Sequence, residues 1–379
     1  MYLLEHDAKE LLAAHGIPVP AGCLIESASA KPTLPAGPWI VKGQIPAGGR
    51  GKAGIIKKAS TSQEVGEHTR AILGKTVKGH TVESVRVEQQ VKAVQEAYIG
   101  FLLDAGSGGV RVILSASGGM EIEQVPRDQI LTELVRPDAQ DLAKCVDRLA
   151  AKLPPKIAKA AREAGQKLAS AFLDLEAMLV EINPLFVLDG GRWVAGDAKV
   201  VTDDNALLRQ KELEALVKAR TDAYPDVARK HEHGFDYVVV DPKGEIGLLT
   251  TGAGLSMMLI DEMRKAGLKP YNFLDIRTGA LRGETTRIVK VLTWLSEAPS
   301  VRVLLVNIFG GIANMGEFSK LLVAALAETP SLTVPVVARL VGNGLPAARD
   351  VLAKAKIELH TDLDQALDAV REHLAAKKT

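Results

Sequence analysis

Cysteine is nearly missing from this 379-residue chain, where only Cys23 and Cys145 occur, far apart. Two lone thiols build no disulfide framework, so a reducing compartment, the cytoplasm, is expected. Aromatic residues reach just 4% of the composition, which leaves little from which to build base-stacking platforms. Charge of one sign is missing too, since 47 Lys and Arg face 46 Asp and Glu and leave a formal +1. Such a balance supplies no polycationic surface and argues against a nucleic-acid partner. No apolar run approaches the roughly 20 residues of a bilayer-spanning helix, so no membrane role is expected. The first residues carry acids early and lack the apolar core of a secretory signal, and they read as the start of a folded helix. What is present is ordinary globular composition, 47% hydrophobic and 25% charged. At roughly 150 residues per domain, the length calls for two or three domains.

The first half mixes helix and strand. Residues 7–15 have helical spacing and are stopped by Gly16-Ile-Pro-Val-Pro20. A short strand at 38–42 leads into the glycine-rich stretch Ala47-Gly-Gly-Arg-Gly-Lys-Ala-Gly54. Residues 82–88 and 96–104 alternate as strands, and Ala105-Gly-Ser-Gly-Gly109 turns the chain back into 110–115 as a hairpin. Residues 142–175 are largely helical, broken at Pro154-Pro155. A second hairpin has arms 178–188 and 192–201 with Asp189-Gly190-Gly191 at its tip. The stretch 217–233 is charged, contains Pro225 and carries no apolar period, so it reads as a linker or a solvated helix. His231 and His233 within it have no third ligand near in sequence and read as exposed linker residues rather than a metal pair. From Tyr237 onward, strand–turn–helix units repeat, with strands at 245–250, 272–276, 301–309, 334–341 and 355–360. The nearly continuous apolar run 301–309 suits a strand buried on both faces, and a helix is expected to follow from Gly311 to about Glu328. The repeats predict a flavodoxin-like, doubly wound parallel sheet. Two α/β domains follow, 1–233 and 234–379.

Three groups of residues suit chemistry. Gly48, Gly49, Gly51 and Gly54, with Arg50, Lys52 and the preceding Lys42, suit a polyphosphate cradled by backbone N–H groups and point charges. The same glycines also suit a surface turn, and the stretch alone does not separate the two. In the second hairpin, equal arms about Gly190 put Asn183 nearly opposite Asp197, with Glu181 on the same face. An amide oxygen beside a carboxylate fits Mg²⁺, although turn-flanking polar residues give the same pattern. In the C-terminal half, Thr251-Gly-Ala-Gly254 and Gly310-Gly311-Ile312-Ala313 each join a strand to a helix. Helix N-termini at the carboxyl edge of a parallel sheet favour anions, and ligands of such sheets bind at a topological switch point.

Longer motifs carry a resemblance. His6-Asp-Ala-Lys-Glu-Leu-Leu12, Val41-Lys-Gly-Gln44, the stretch 47–54, Gly118-Gly-Met-Glu-Ile-Glu123, Glu181-Ile-Asn-Pro-Leu185, Asn272-Phe-Leu-Asp275 and Val306-Asn-Ile-Phe-Gly-Gly-Ile312 follow in order. Over nearly its whole length the chain resembles the β subunits of succinyl-CoA synthetase and related ADP-forming acid–CoA ligases, malate–CoA ligase included. The resemblance implies an ATP-grasp fold before the flavodoxin-like CoA-ligase domain. It implies that Lys42, Gly49, Arg50 and Gly51 hold the phosphates of ATP or GTP, that Glu88 and Glu96 lie at the purine–ribose end, and that Val91 adds a backbone contact there. Asn183 and Asp197 match the Mg²⁺ ligands, and Glu181 the acidic residue beside the histidine that receives the phosphate. That histidine belongs to an α subunit, which carries it to the carboxylate site, where an acyl phosphate forms and CoA displaces the phosphate. No histidine of this chain sits in a recognisable catalytic context, so the carrier is expected from the partner, in an αβ or (αβ)₂ complex. The helix expected from Gly311 matches one whose positive end helps hold the phosphohistidine.

Thr251, Arg277, Gly311, Ile312 and Ala313 match positions flanking the acyl pocket. Thr251 stands where the family usually has Asn, Arg277-Thr-Gly279 where it has three glycines, and Asn314-Met-Gly316 is unusual. Arg277 offers a fork of donors suited to a carboxylate or similar oxyanion, which predicts a pocket retuned from succinate to a hydroxylated, bulkier or sulfonated acid. Neutral drift at a loop is the other account of these changes. Two rival functions remain, an ATP-grasp ligase for another acceptor and a nucleotide-sensing subunit without catalysis. The paired edge loops weigh against the first, and intact Lys42, Asn183 and Asp197 against the second.

Overall fold

A computed structural model describes residues 1–30 and 32–376, with the backbone alone at positions 280 and 312. The chain forms two compact units, Met1–Ala219 and Arg220–Thr379.

The first unit is built on two antiparallel sheets. In one, Gly22–Ile25, Val85–Gln89, Trp39–Gly43 and Ile56–Ala59 lie side by side in that order. The helix Ser62–Ile72 packs on it through Val65 and Ile72, and Thr61 caps the helix by accepting from the Glu64 N–H. The second sheet runs in the order Trp193–Ala195, Ala177–Val187, Gln95–Asp104, Gly109–Ser115, Ile130–Val135, and Lys199–Thr202 also pairs with Ala177–Val187. The helices Ala139–Ala150 and Pro155–Asp174 are separate because Pro155 lacks an N–H and suits a first helical turn. The second arm of the 178–201 hairpin is interrupted at 196–198. There Gly196 turns its carbonyl to Lys9 and Lys42, at 2.9 and 2.8 Å, and Asp197 turns its carboxylate to Arg50.

The second unit carries the parallel sheet. Ile246–Thr250, Val303–Asn314, Val336–Asn343 and Leu359–His360 pair in parallel, and Asp236–Val239 pairs antiparallel with Asn272–Asp275. Asn272–Asp275 is tied to Ile246–Thr250 by side chain rather than by a full ladder. The Asn272 amide accepts from the Leu248 N–H and donates to the Leu248 carbonyl, at 2.8 and 3.0 Å, and the Ile276 N–H reaches the Thr250 carbonyl. The parallel strands therefore run 2-1-3-4-5, the flavodoxin-like order with its switch point between the first and third. Leu248 and Leu305 pack with Leu259, Met263, Leu367 and Val370 of the helices on one face. Leu304 and Val306 pack with Val291, Leu295, Phe318, Leu322 and Leu352 on the other. Both faces are covered, as the apolar run 301–309 required.

One local expectation fails. The strand after Val303 does not give way to a helix at Gly311; it continues to Asn314, and the helix is Met315–Glu328. Residues 311–313 slip out of register with the neighbouring strand, which pairs with Gly310 and then with Asn314. The helix starts late because the Asn314 carboxamide oxygen caps it, accepting from Gly316 N at 2.9 Å and Glu317 N at 3.2 Å. Of the two readings of 217–233, linker or solvated helix, the helix holds at Pro225–His233, none of whose residues is fully buried. His233 packs 5.2 Å from Trp294 and 6.0 Å from Phe235, ring centre to ring centre, contacts that no local periodicity announces.

Candidate active site

A cavity of about 700 Å³ opens in the first unit, lined by Lys42, the loop 47–52, Glu181, Asn183 and Asp197. Its floor is a buried charge cluster. Lys42 Nζ meets Glu5 Oε1 and Glu88 Oε1, each at 2.7 Å, and the Gly196 carbonyl at 2.8 Å. Lys9 Nζ sits among the same three groups, 2.8 Å from Glu5 and 2.7 Å from Glu88. Arg50 joins Glu5 at 2.6 Å to both oxygens of Asp197 at 2.9 and 2.7 Å. Arg86 closes the cluster through Nε to Glu88 at 2.8 Å and Nη1 to Glu10 at 3.1 Å. Buried charges persist only when paired and hydrogen-bonded, and here every member has at least one opposite partner. Burial would push Glu5 up, but Arg50, Lys42 and Lys9 outweigh it and hold its carboxyl well below the usual range. Glu88 is shifted the same way, with Lys42 and Lys9 overcoming its burial. Lys42 is driven above its ordinary value because its acids outweigh its burial, whereas burial pulls Lys9 below.

The glycine-rich loop faces this floor. A Cβ placed on Gly48, Gly51 or Gly54 would meet nothing within 4 Å, so packing within the protein does not account for glycine there. On the cavity's other side, Leu185 opposite Ala195 and Glu181 opposite Lys199 share one register, which sets Asn183 opposite Asp197 as the hairpin arithmetic expected. The Asn183 oxygen accepts from Gly119 N at 2.8 Å, and its nitrogen donates to the Met120 carbonyl at 2.8 Å. Gly119 itself must be glycine, because its φ is +76° and a Cβ would come within 2.2 Å of Glu96 Oε2. Burial, with Asp197 adding to it, raises the carboxyl of Glu181; burial and Glu181 together push the neighbouring Tyr98 phenol above its ordinary range. Among the described residues no group of three or more His, Cys, Asp or Glu could hold a metal. One amide oxygen and one carboxylate fit a cation whose remaining ligands are water and phosphate, as Mg²⁺ prefers.

The structure does not bring every expected residue to the wall. Glu88 is 2% exposed, its carboxylate turned into the cluster by Lys9, Lys42 and Arg86. Val91 and Glu96 are also absent from the cavity lining, and Glu96 instead backs the loop at Gly119.

In the second unit the two predicted loops do share an edge, since Ile246–Thr250 and Val303–Asn314 are neighbouring parallel strands. Asp275 Oδ1 accepts from Gly252 N at 2.7 Å and Arg277 N at 3.2 Å, and Thr251 Oγ1 accepts from Thr278 N at 3.3 Å. Arg277 adopts φ +56°, and its guanidinium is not a free fork. It donates to Asp236 Oδ2 at 3.1 Å, a carboxylate that also holds Lys230 at 2.8 Å. The Gly311 carbonyl accepts from Asn343 Nδ2, and Ala313 lies half-buried beside it. The side chain of Ile312 lies outside the described residues.

Family comparisons agree with both halves. A model described as an ATP-grasp domain matches residues 2–187, and one described as a CoA-ligase matches residues 249–372. A protein of Chloroflexus aurantiacus named succinate–CoA ligase (ADP-forming) subunit beta is 40% identical over 367 residues, 94% of each chain. The chain belongs to this β-subunit family. Namesakes from Bacteroides fragilis and Anaeromyxobacter dehalogenans are 34% identical over 93% of each chain and 35% over 100%. The structure of ATP citrate lyase from Methanothrix soehngenii in complex with citrate and coenzyme A matches with a TM-score of 0.71 over 95% of each chain. At 18% identity that likeness is one of fold. The ATP-grasp and CoA-ligase folds implied by the motifs are thus those of the chain. What the motifs did not reveal for this family member is the support beneath Lys42, namely Glu5, Lys9 and Arg86. A signal existed, because Glu5, Ala8, Lys9 and Leu12 follow the 3.6-residue period of one helix face, so two charges stand on a face built for the core. Tyr98 gave no such signal.

Proposed function

We propose that the chain is the β subunit of an ADP-forming acid–CoA ligase, working in the cytoplasm with an α subunit as an αβ or (αβ)₂ complex. The observation that carries this is the cavity, where Lys42 and Arg50 stand fixed under a glycine loop whose open side no packing explains. Phosphoryl transfer needs in-line positioning and charge neutralisation more than covalent help from the protein. On this reading Lys42, Arg50 and the N–H groups of Gly49 and Gly51 cradle the phosphates of ATP or GTP, with Val91 and Glu96 toward the nucleoside. Asn183 and Asp197 are the residues to hold Mg²⁺, which when bound neutralises charge on the phosphates. Glu88 acts one step back, fixing Lys42. A nitrogen of the partner's histidine attacks the γ-phosphorus, the bond to ADP breaks, and Glu181 stands where it can orient that imidazole. At the edge formed by Thr251, Arg277, Gly311, Ile312 and Ala313 the carboxylate of a small acid then attacks the phosphorus of the phosphohistidine. The N–P bond breaks and frees the histidine, and the CoA thiol, losing its proton, displaces phosphate from the acyl phosphate.

The test is incubation with γ-labelled ATP and Mg²⁺, with and without a candidate α subunit. Label is expected on a histidine of the partner. Absence of label in every pairing would sink the reading.

A further inference from the structure

Lys78 belongs to none of the motifs above, yet it lines the same cavity. It sits at the tip of a small hairpin, Thr76–Val77 paired with His80–Thr81, whose two-residue turn is Lys78-Gly79. Both turn residues have positive φ, +50° and +83°, as a type I′ turn demands. Such turns favour Asn-Gly, and a lysine in the left-handed region is strained. Strain of this kind persists where a side chain is wanted in one place. The ammonium of Lys78 reaches across to the glycine-rich loop and donates to the Gly48 carbonyl at 2.9 Å. It also stands 3.3 Å from where a Cβ of Gly49 would lie.

An ammonium has three donors. Only the bond to Gly48 is made by Lys78 among the described residues, so two donors remain at the cavity wall. Lys52, the other loop-side lysine, is engaged by Glu121 at 3.3 Å. We propose that Lys78 is a nucleotide-positioning residue: it clamps the glycine-rich loop through Gly48 and presents its remaining donors to the polyphosphate. This rests on the nucleotide-binding reading of the cavity. Its role is distinct from that of Lys42, which has all three donors occupied inside the cluster. Lys42 supplies a fixed field, whereas Lys78 supplies hydrogen bonds from a tip that can follow its ligand.

The type I′ turn provides a clean test, because asparagine suits its first position better than lysine does. Lys78→Asn should therefore keep or raise the thermal midpoint of the ligand-free protein. Its Kd for Mg·ADP, measured by calorimetry on the full chain, should rise about tenfold, the size expected for one lost charge-assisted contact of ~1.4 kcal/mol. The loss should shrink as salt rises, since an exposed lysine is screened. Lys78→Arg, which keeps the charge and the reach, should bind within about threefold of wild type. An unchanged Kd in Lys78→Asn overturns the proposal and leaves Lys78 a turn residue. A wild-type chain that binds no Mg·ADP overturns the nucleotide reading itself, and this proposal with it.

Discussion

Arg277 and Asp236 form an ion pair at 3.1 Å in which the guanidinium stays half exposed and keeps donors unused. Exposed pairs of this kind contribute little to stability, about 0–1 kcal/mol, so the pair can open without cost to the fold. If the acid site lies at this edge, an incoming carboxylate competes with Asp236 for the same fork. Rates on a panel of small acids, for wild type and Arg277→Gly, decide the matter. We expect the variant to lose about tenfold or more in kcat/KM on the preferred acid and to shift toward succinate. Succinate as the best substrate of both proteins would remove Arg277 from specificity. At this scale the sequence was unevenly readable. Asn183 and Asp197 could be set opposite each other because hairpin register is arithmetic. The inward turn of Glu88 could not be foreseen, since its partners Lys9 and Lys42 lie 79 and 46 positions away and no period links them.

Elements were read well where one pattern dominated. The apolar run after Val301 allowed only a strand covered on both faces, and the strand–turn–helix repeat allowed only a parallel sheet. Boundaries failed where two signals competed. Gly310-Gly311 looks like the usual exit from a strand, but Asn314 holds the stronger cap and drags the helix start to Met315. Replacing Asn314 with alanine should lower stability by about 1 kcal/mol, visible as a lower denaturant midpoint with an unchanged slope. A loss far below that value would mean that the helix start is set by the register slip and not by the cap. The helix Pro225–His233 was left open against a linker for a different reason. Its own face is polar, and its anchorage comes from Trp294, too distant in sequence for any window to see.

For the whole molecule, near-neutral net charge hides a segregation of charge. Four cations, Lys9, Lys42, Arg50 and Arg86, share a buried cluster with Glu5 and Glu88, and the half-buried Asp197 joins it at the cavity side through Arg50. Glu5 and Glu88 are both held below their ordinary value of 4.5 in the folded state. The unfolded chain therefore binds more protons in acid, so this stabilisation is complete above about pH 4.5 and drains as pH falls through the folded values. Thermal midpoints from pH 7 down to 3 should fall steeply in wild type below that point. Glu5→Gln should start about 3–5 kcal/mol less stable at pH 7 and show a shallower acid slope, because it removes one titrating partner and strands its cations. Equal slopes would place the acid sensitivity elsewhere. Length called for two or three domains but could say nothing of the cluster, because composition counts charges without locating them.

One oxygen of Asp275 couples two loops of the second unit. It holds the backbone of Gly252 and of Arg277 at once, while Thr251 holds Thr278. The loops that carry Thr251 and Arg277 are therefore joined twice, through Asp275 Oδ1 and through the Thr251 hydroxyl. Substitutions in one loop are felt in the other, and their effects will not add. A double-mutant cycle across Thr251 and Thr278 should therefore show coupling, with Asp275 as the fixed point on which both loops rest.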